Sequence, residues 1–277
     1  MKFAKYEGIG NDFIIIDNLS GQISLSQEEI ARLCNRNFGI GSDGLMFVRP
    51  SEVADFFMDF YNSDGSIAEM CGNGIRCFAK YLYDENLTDK TTINIETRAG
   101  IKIVELMLNH GRAVRAKVDM GEPILESSKV PVSADTERFI NQPLIVDDSE
   151  IKATCVSMGN PHCIIFVDDV KTAPVRTLGP KVEASKHFPQ KTNVEFANIL
   201  GRGEIELRVW ERGCGETLAC GTGACATLVA CALNNKTDRS ATVHLPGGDL
   251  KISWIDNNHV ILEGPANRVF TGIIDVG

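Results

Sequence analysis

The chain has 277 residues, 43 % of them hydrophobic and 23 % charged, with a formal net charge of −9. That is an ordinary globular composition, long enough for two domains that each bury a core, and it excludes a disordered or fibrous chain. The acidic balance, with no basic stripe, sets nucleic acid aside as a partner.

Residues 2–17 alternate into an apolar strand. Its longest run, Phe13-Ile14-Ile15-Ile16, is too short for a membrane span or a signal-peptide core, so a cytoplasmic location and no membrane partner are expected. Ser26-Gln27-Glu28-Glu29 opens a helix with an acidic first turn, and residues 37–44 form a turn-rich loop. Strands are predicted at 45–48 and 55–61, a turn at 62–65 and a buried helix at 75–83. Short strands follow at 91–97, 101–108 and 113–120. Residues 121–149 carry Pro123, Pro131 and Pro143 with weak periodicity and read as the connection between two halves.

The order of elements then repeats. Strands are predicted at 151–158 and 163–167, a helix near 177–185, and strands at 193–200 and 205–210. A markedly apolar helix covers 223–233, and strands at 241–245, 250–254 and 260–263 close the half. The tail, 269–276, is another strand without a counterpart in the repeat, expected to return to the first sheet. The pattern is α+β (an α/β mixture): many strands and one central helix per half. The halves are taken as residues 1–118 with the strand 265–277, and residues 119–264.

Short motifs agree on one repeat distance. Cys71-Gly72-Asn73-Gly74 and Cys220-Gly221-Thr222-Gly223 lie 149 residues apart, as do Gly10-Asn11 and Gly159-Asn160, and Tyr61-Asn62 and Trp210-Glu211. A shared distance points to an internal duplication. There are nine cysteines, an odd number in a long chain without Cys-x-x-Cys, which argues against a disulfide scaffold or a structural zinc site. Cys34, Cys77, Cys155, Cys163, Cys225 and Cys231 read as small buried hydrophobes.

In the Cys-Gly-x-Gly unit the glycines allow close backbone approach, and the helix that follows offers unpaired N–H groups to an anion. The same partial positive charge favours a thiolate. Two copies suit racemisation or epimerisation beside a carboxylate: one thiolate removes the α-proton, the opposite thiol returns one to the other face, and the helix N-termini stabilise the developing charge. Asn11, Asn62, Asn160 and Glu211 occupy matched places around the cysteines. Arg212 can clamp a carboxylate, His162 can manage an amino group or a proton, and Arg76 reads as a surface ion pair.

Those motifs, with Tyr61-Asn62-Ser63-Asp64-Gly65-Ser66, Gly159-Asn160-Pro161-His162, Thr192-Asn193-Val194-Glu195-Phe196 and Trp210-Glu211-Arg212-Gly213, occur in one order over nearly the whole chain. In them the chain closely resembles the diaminopimelate epimerases. The resemblance implies interconversion of LL- and meso-2,6-diaminopimelate on the route to lysine and peptidoglycan, without pyridoxal or metal. It implies two pseudo-symmetric domains, each a barrel-like mixed sheet around a central helix, with the active site in the cleft between them; a homodimer is expected.

Carried over, Cys71 and Cys220 are the acid/base pair, with Cys220 the proton acceptor in the LL to meso direction. Asn11, Asn62, Asn160, Asn193 and Arg212 bind the end that does not react. Gly72-Asn73 and Gly221-Thr222 hold the reacting carboxylate through backbone N–H groups, and His162 and Glu211 assist at the amino group. Some members carry Gln where this chain has Gly44, so that contact is absent here. Proline racemase-like and phenazine-pathway isomerases are rivals on the same fold. The first leaves Asn62, Asn193 and Arg212 without a purpose, and the second lacks the cysteine pair. A redox disulfide and a silent binding module are the alternatives of another class.

Overall fold

The computed structural model describes residues 1–147 and 149–275. Val276, placed in the tail strand above, lies outside the described residues. The chain divides into two compact units, Met1–Asp119 with Glu263 onward, and Met120–Leu262.

In the first unit β1 (Lys2–Gly8) and β2 (Asn11–Asp17) pair antiparallel. The single strand expected over 2–17 is therefore a hairpin. Its turn is Ile9-Gly10, both at positive φ, 51° and 84°. Two such residues suit the tight turn of a twisted hairpin, but a β-branched residue is a poor signal for one. β2 runs parallel to β3 (Gly44–Arg49), which is antiparallel to β4 (Phe56–Asn62). β4 runs parallel to β5 (Thr92–Thr97), and β6 (Gly100–Asn109) and β7 (Arg112–Asp119) continue antiparallel.

Two helices lie on this sheet. α1 (Gln27–Cys34) starts at the capping box read from the sequence, Ser26 and Glu29 satisfying each other's backbone N–H groups. Its Ile30, Leu33 and Cys34 pack on Ile14, Ile16, Leu45 and Phe47. Side chains alternate along a strand, so Phe13 and Met46 face the opposite way, under α2 (Gly72–Asp84).

The second unit repeats this. β9 (Ser149–Ser157) and β10 (Pro161–Phe166) pair antiparallel, β10 runs parallel to β11 (Asn193–Gly201), and β11 is antiparallel to β12 (Glu204–Glu211). The register repeats as well: Phe13 stands beside Gly44, and His162, 149 residues on, beside Asn193. A short β13 (Gly215–Thr217) folds back on the end of β12. β12 runs parallel to β14 (Ser240–Leu245), β14 is antiparallel to β15 (Gly248–Trp254), and β16 (Val260–Pro265) leads back into the first unit. α3 (Val175–Glu183) corresponds to α1, and α4 (Gly221–Leu233) to α2. From Ala224 to Cys231 every residue of α4 is buried, and each large aliphatic there contributes roughly 1.5–3 kcal/mol through burial.

Two expectations change. The tail forms β17 (Asn267–Ile273) antiparallel to β1, but it has a spatial counterpart, since β8 (Gln142–Val146) pairs with β9 in the same way. Residues 121–149 are also more than a connection. Val130, Val132, Phe139, Leu144 and Val146 sit in the second unit's core beside Val175, Val194 and Phe196. Their apolar residues follow no regular period because prolines and turns reset the chain between them.

Candidate functional site

Each thiol is the N-cap of its central helix. Cys71 and Cys220 hold extended backbone (φ −138°, ψ 122° and φ −122°, ψ 111°). Their sulfurs accept from Gly74 N and Gly223 N, both at 3.4 Å. A cysteine here replaces the usual Ser, Thr, Asp or Asn, so the group satisfying the helix terminus is a thiol. Neither first turn carries an acidic residue, so the N–H groups of Gly72-Asn73 and Gly221-Thr222 keep their pull on an external anion.

In the first unit, Asn11 begins β2 just after the hairpin turn. Its Nδ2 donates to Asp43 Oδ2 at 2.7 Å. That fixes the amide with Oδ1 towards the helix, where it accepts from Cys71 Sγ at 3.5 Å and Asn73 Nδ2 at 3.4 Å. Asp43 and Asp12 share Arg36, and Lys5 also pairs with Asp12 at 2.6 Å; these cations hold the Asp12 carboxyl well below its usual range. Asn62 ends β4 and donates to Ser66 Oγ at 3.0 Å. Arg76 is no surface ion pair. It is wholly buried, donating to Gly72 O and Asn73 Oδ1, both at 3.0 Å, and to Pro265 O at 3.2 Å. The helix pattern hid this, because a guanidinium with several carbonyl acceptors can sit on a buried face.

In the second unit, Asn160 takes the place of Asn11 and is turned the other way. Its Nδ2 donates to Thr222 Oγ1 at 3.3 Å, and its Oδ1 faces His162 Nε2 at 3.0 Å. His162 is fully buried, and its Nδ1 lies 2.7 Å from Glu195 Oε1. Thr222 Oγ1 stands 3.5 Å from Cys220 Sγ. Glu211 ends β12 and accepts from Thr217 Oγ1 at 2.5 Å. Burial pushes the Glu211 carboxyl up, against hydrogen bonds from Thr217 and Cys220. The Cys220 thiol is raised by burial and by the charges of Glu211 and Glu195, opposed by Thr222 and the Gly223 N–H. Burial and the two carboxylates favour its thiol form.

Asn193 and Arg212 are tied together: Asn193 Oδ1 accepts from Arg212 N at 2.9 Å, and its Nδ2 donates to Pro161 O at 2.8 Å. Both polar ends of Asn193 thus hold the protein's own backbone. The Arg212 side chain is exposed, with Nη1 on Gln190 O at 3.1 Å. At Gly44 a Cβ would lie 2.6 Å from Phe60 Cε2 and 2.6 Å from Tyr61 O, so this backbone leaves no room for a side chain there. The six cysteines read as hydrophobes are all buried, while Cys214 is exposed. Among the described residues no group of three or more His, Cys, Asp or Glu side chains is placed to hold a metal ion, and no helix is long and apolar enough to cross a membrane.

The model of the diaminopimelate epimerase family matches residues 3–126 and 154–269. The chain is 50 % identical to the diaminopimelate epimerase of Acetivibrio thermocellus, covering 100 % of this chain and 99 % of the relative. It is also 50 % identical to that of Methanococcus maripaludis, covering both completely (100 %). The chain belongs to the diaminopimelate epimerase family. Solved structures at lower identity share its fold. A probable proline racemase from Agrobacterium radiobacter superposes with a TM-score of 0.73 at 12 % identity, covering 100 % of this chain and 93 % of that one. A phenazine biosynthesis protein from Bacillus anthracis gives 0.73 at 19 %, covering 100 % and 99 %.

In this diaminopimelate epimerase one buried carboxylate beside the site carries no local sequence signal: Glu195. It stands inside a quoted motif, but a carboxylate in a strand gives no sign that it is buried against a histidine 33 residues away. The available signal was the repeat itself, which sets Glu195 opposite Met46 and His162 opposite Phe13.

Proposed function

We propose that this diaminopimelate epimerase works by a two-base thiol mechanism without pyridoxal, with Cys71 and Cys220 acting on opposite faces of one α-carbon. From the LL isomer, the Cys220 thiolate takes the α-proton and becomes a thiol. The Cys71 thiol then gives its proton to the other face and becomes a thiolate, leaving the meso isomer. The reverse reaction exchanges the roles. Glu211, partly buried and hydrogen-bonded to Cys220, takes the thiol proton that the acceptor must first lose. The reacting carboxylate lies on the N–H groups of Gly72-Asn73 and Gly221-Thr222, where negative charge develops.

The observation that carries this reading is the pair of cysteine N-caps. Two helices 149 residues apart in the chain each start on a sulfur bonded to the third residue of the helix. Asn11, Asn62, Asn160, Asn193 and Arg212 bind the distal ammonium and carboxylate, the asparagines through the second amide hydrogen or lone pair that their protein contacts leave, and His162, its two ring nitrogens held by Glu195 and Asn160, supports the site behind the reacting amino group. The protein acts in the cytoplasm as a homodimer, which sedimentation of the purified protein checks.

The test is hydrogen exchange in deuterated water with LL-diaminopimelate, reductant and no added cofactor. One deuterium at one α-carbon, appearing with the meso isomer, is expected. Exchange without inversion, or a requirement for pyridoxal phosphate, would overturn the mechanism.

A further inference from the structure

Within the second unit, hydrogen bonds run from a buried carboxylate to the thiol in four steps. Glu195 Oε1 meets His162 Nδ1 at 2.7 Å, His162 Nε2 meets Asn160 Oδ1 at 3.0 Å, Asn160 Nδ2 meets Thr222 Oγ1 at 3.3 Å, and Thr222 Oγ1 meets Cys220 Sγ at 3.5 Å. The donors can be assigned. Asn160 gives its Nδ2 to Thr222, so its Oδ1 is the atom facing His162, and an amide oxygen only accepts. His162 Nε2 must then carry a proton. Nδ1 faces a carboxylate, so a second proton lies between Nδ1 and Glu195. The pair holds that proton whether it is written as imidazolium and carboxylate or as imidazole and carboxylic acid, and its net charge is zero. With its oxygen already accepting from Asn160, the Thr222 hydroxyl can turn its own proton to Cys220.

We infer that Glu195 is a positioning residue which, through His162, Asn160 and Thr222, turns a hydroxyl donor onto Cys220 and so prepares that sulfur to be the thiolate. The inference rests on the assignment of Cys220 as the proton acceptor proposed above. Glu195 touches neither the reacting atoms nor the thiol and acts only through the other three side chains. It is fully buried; Oε2 has no hydrogen bond of ordinary geometry, though the Cys163 N–H faces the carboxylate. A carboxylate is costly to keep in such a place unless it orders something. The first unit supports the reading by contrast. There Asp43 fixes Asn11 in the opposite sense, so that Asn11 presents an acceptor, Oδ1, to Cys71 and favours its thiol form. Two orienting carboxylates thus set opposite amide directions, and with them opposite starting roles for the two sulfurs.

The charged groups facing Cys220 within its unit are Glu211 and Glu195, with His162 against Glu195. This arrangement allows a test whose sign is diagnostic. Alkylation of Cys220 by iodoacetamide is followed against pH in the intact protein, reading each cysteine by peptide mass. In Glu195→Leu the relay loses its anchor, and labelling of Cys220 should slow about tenfold at neutral pH, the size of a lost hydrogen bond to a charged group. Cys71 should label as before. Glu195→Gln can still donate to Nδ1, keeps the relay direction, and should restore the wild-type rate. If Glu195 acted only through its negative charge, Glu195→Leu would label faster; that result, or no change, overturns the inference. Should Glu195→Leu fail to fold by circular dichroism, Thr222→Val against Thr222→Ser decides, with the valine variant slow and the serine variant normal. Equal rates in those two overturn it. Cys220→Ala reports separately on the underlying reading. If it still epimerises, the two-thiol mechanism is wrong; if it is inactive while Glu195→Leu labels normally, only the relay is wrong.

Discussion

The floors beneath the two helix N-termini differ where almost everything else repeats. Under Gly74, the nearest atoms to an added Cβ are Met46 Cε and, beyond Cys71, Phe13 Cζ. Under Gly223, at the same place in the repeat, the nearest is Glu195 Oε1. One floor is apolar and the other holds an ion pair with no exposure to solvent. Packing alone explains the first, since methionine and phenylalanine fill a gap and need no partner. The second is a poor way to gain stability, because desolvation of both charges cancels much of their attraction. The duplicated scaffold thus kept the geometry of both caps and altered the chemistry beneath one of them. The proposed two-thiol mechanism has that same form: two similar thiols must start in different protonation states.

The largest effect should come from the shared part of the design. Cys71→Ala and Cys220→Ala should each lower the epimerisation rate by roughly 1,000-fold or more, within the range for loss of a positioned acid or base. Thermal unfolding should change little beside that loss. Substantial turnover in either variant would break the equivalence of the two caps.

The next test makes the floors alike. His162→Phe together with Glu195→Met gives the second unit the residues of the first. Replacing both partners of a buried pair by apolar groups of similar size is often neutral or stabilising. Denaturant unfolding should therefore show stability at or above that of the wild type, while the rate falls roughly 100-fold. The converse change, Met46→Glu, places one carboxyl in a dry site with no histidine and should destabilise by several kcal/mol. If the first double variant unfolds more easily, the ion pair is holding the fold and the contrast drawn above fails.

Glycine substitution sharpens the same contrast with a smaller effect. A Cβ at Gly223 would stand 2.8 Å from Glu195 Oε1 and 3.2 Å from Cys220 Sγ, both held in place. At Gly74 the nearest atom is the end of a flexible side chain, Met46 Cε at 2.4 Å, which can swing aside. Gly223→Ala should cost about tenfold in rate or more, and Gly74→Ala clearly less, measured as kcat/KM in both directions. Equal costs would mean that the two floors are equally rigid.

How much of this was legible beforehand depended on whether a feature is local. The helix start at Ser26 and the apolar run of α4 follow from short-range rules, and the Cys-Gly-x-Gly pair from one repeat distance. The hairpin at Ile9-Gly10 was missed because tertiary pairing holds an isoleucine at φ 51°, against its preference. β8 was missed because Pro143 and a short run gave no period. Arg76 and Glu195 were misread or unread for one reason: charged residues are assumed exposed, and only the folded structure shows carbonyls or a histidine gathered around them. The repeat held part of the answer, since His162 and Glu195 break a match that their neighbours keep.

The smallest effect concerns the helices themselves. Buried thiols line both, and burial raises Cys77 in α2 and pushes Cys231 in α4 up to about 12. A free thiol titrates near 8.5, so between that pH and the folded value the unfolded chain has lost a proton that the native chain keeps. A raised folded pKa means stability that is complete below the unfolded pKa and lost as the pH rises through the folded one. The protein should therefore weaken steadily between about pH 9 and pH 12. Lys236 opposes the shift of Cys231, and Arg76 and Lys80 oppose that of Cys77. Cys231→Ala should cost little at pH 7, because alanine suits a buried helix and only a sulfur is removed. It should also flatten the alkaline fall in the denaturation midpoint. Cys77→Ala should do the same from the first unit. If the alkaline limb responds to Cys231 but not to Cys77, the two units lose stability separately as the pH rises; if it responds equally to both, they unfold as one.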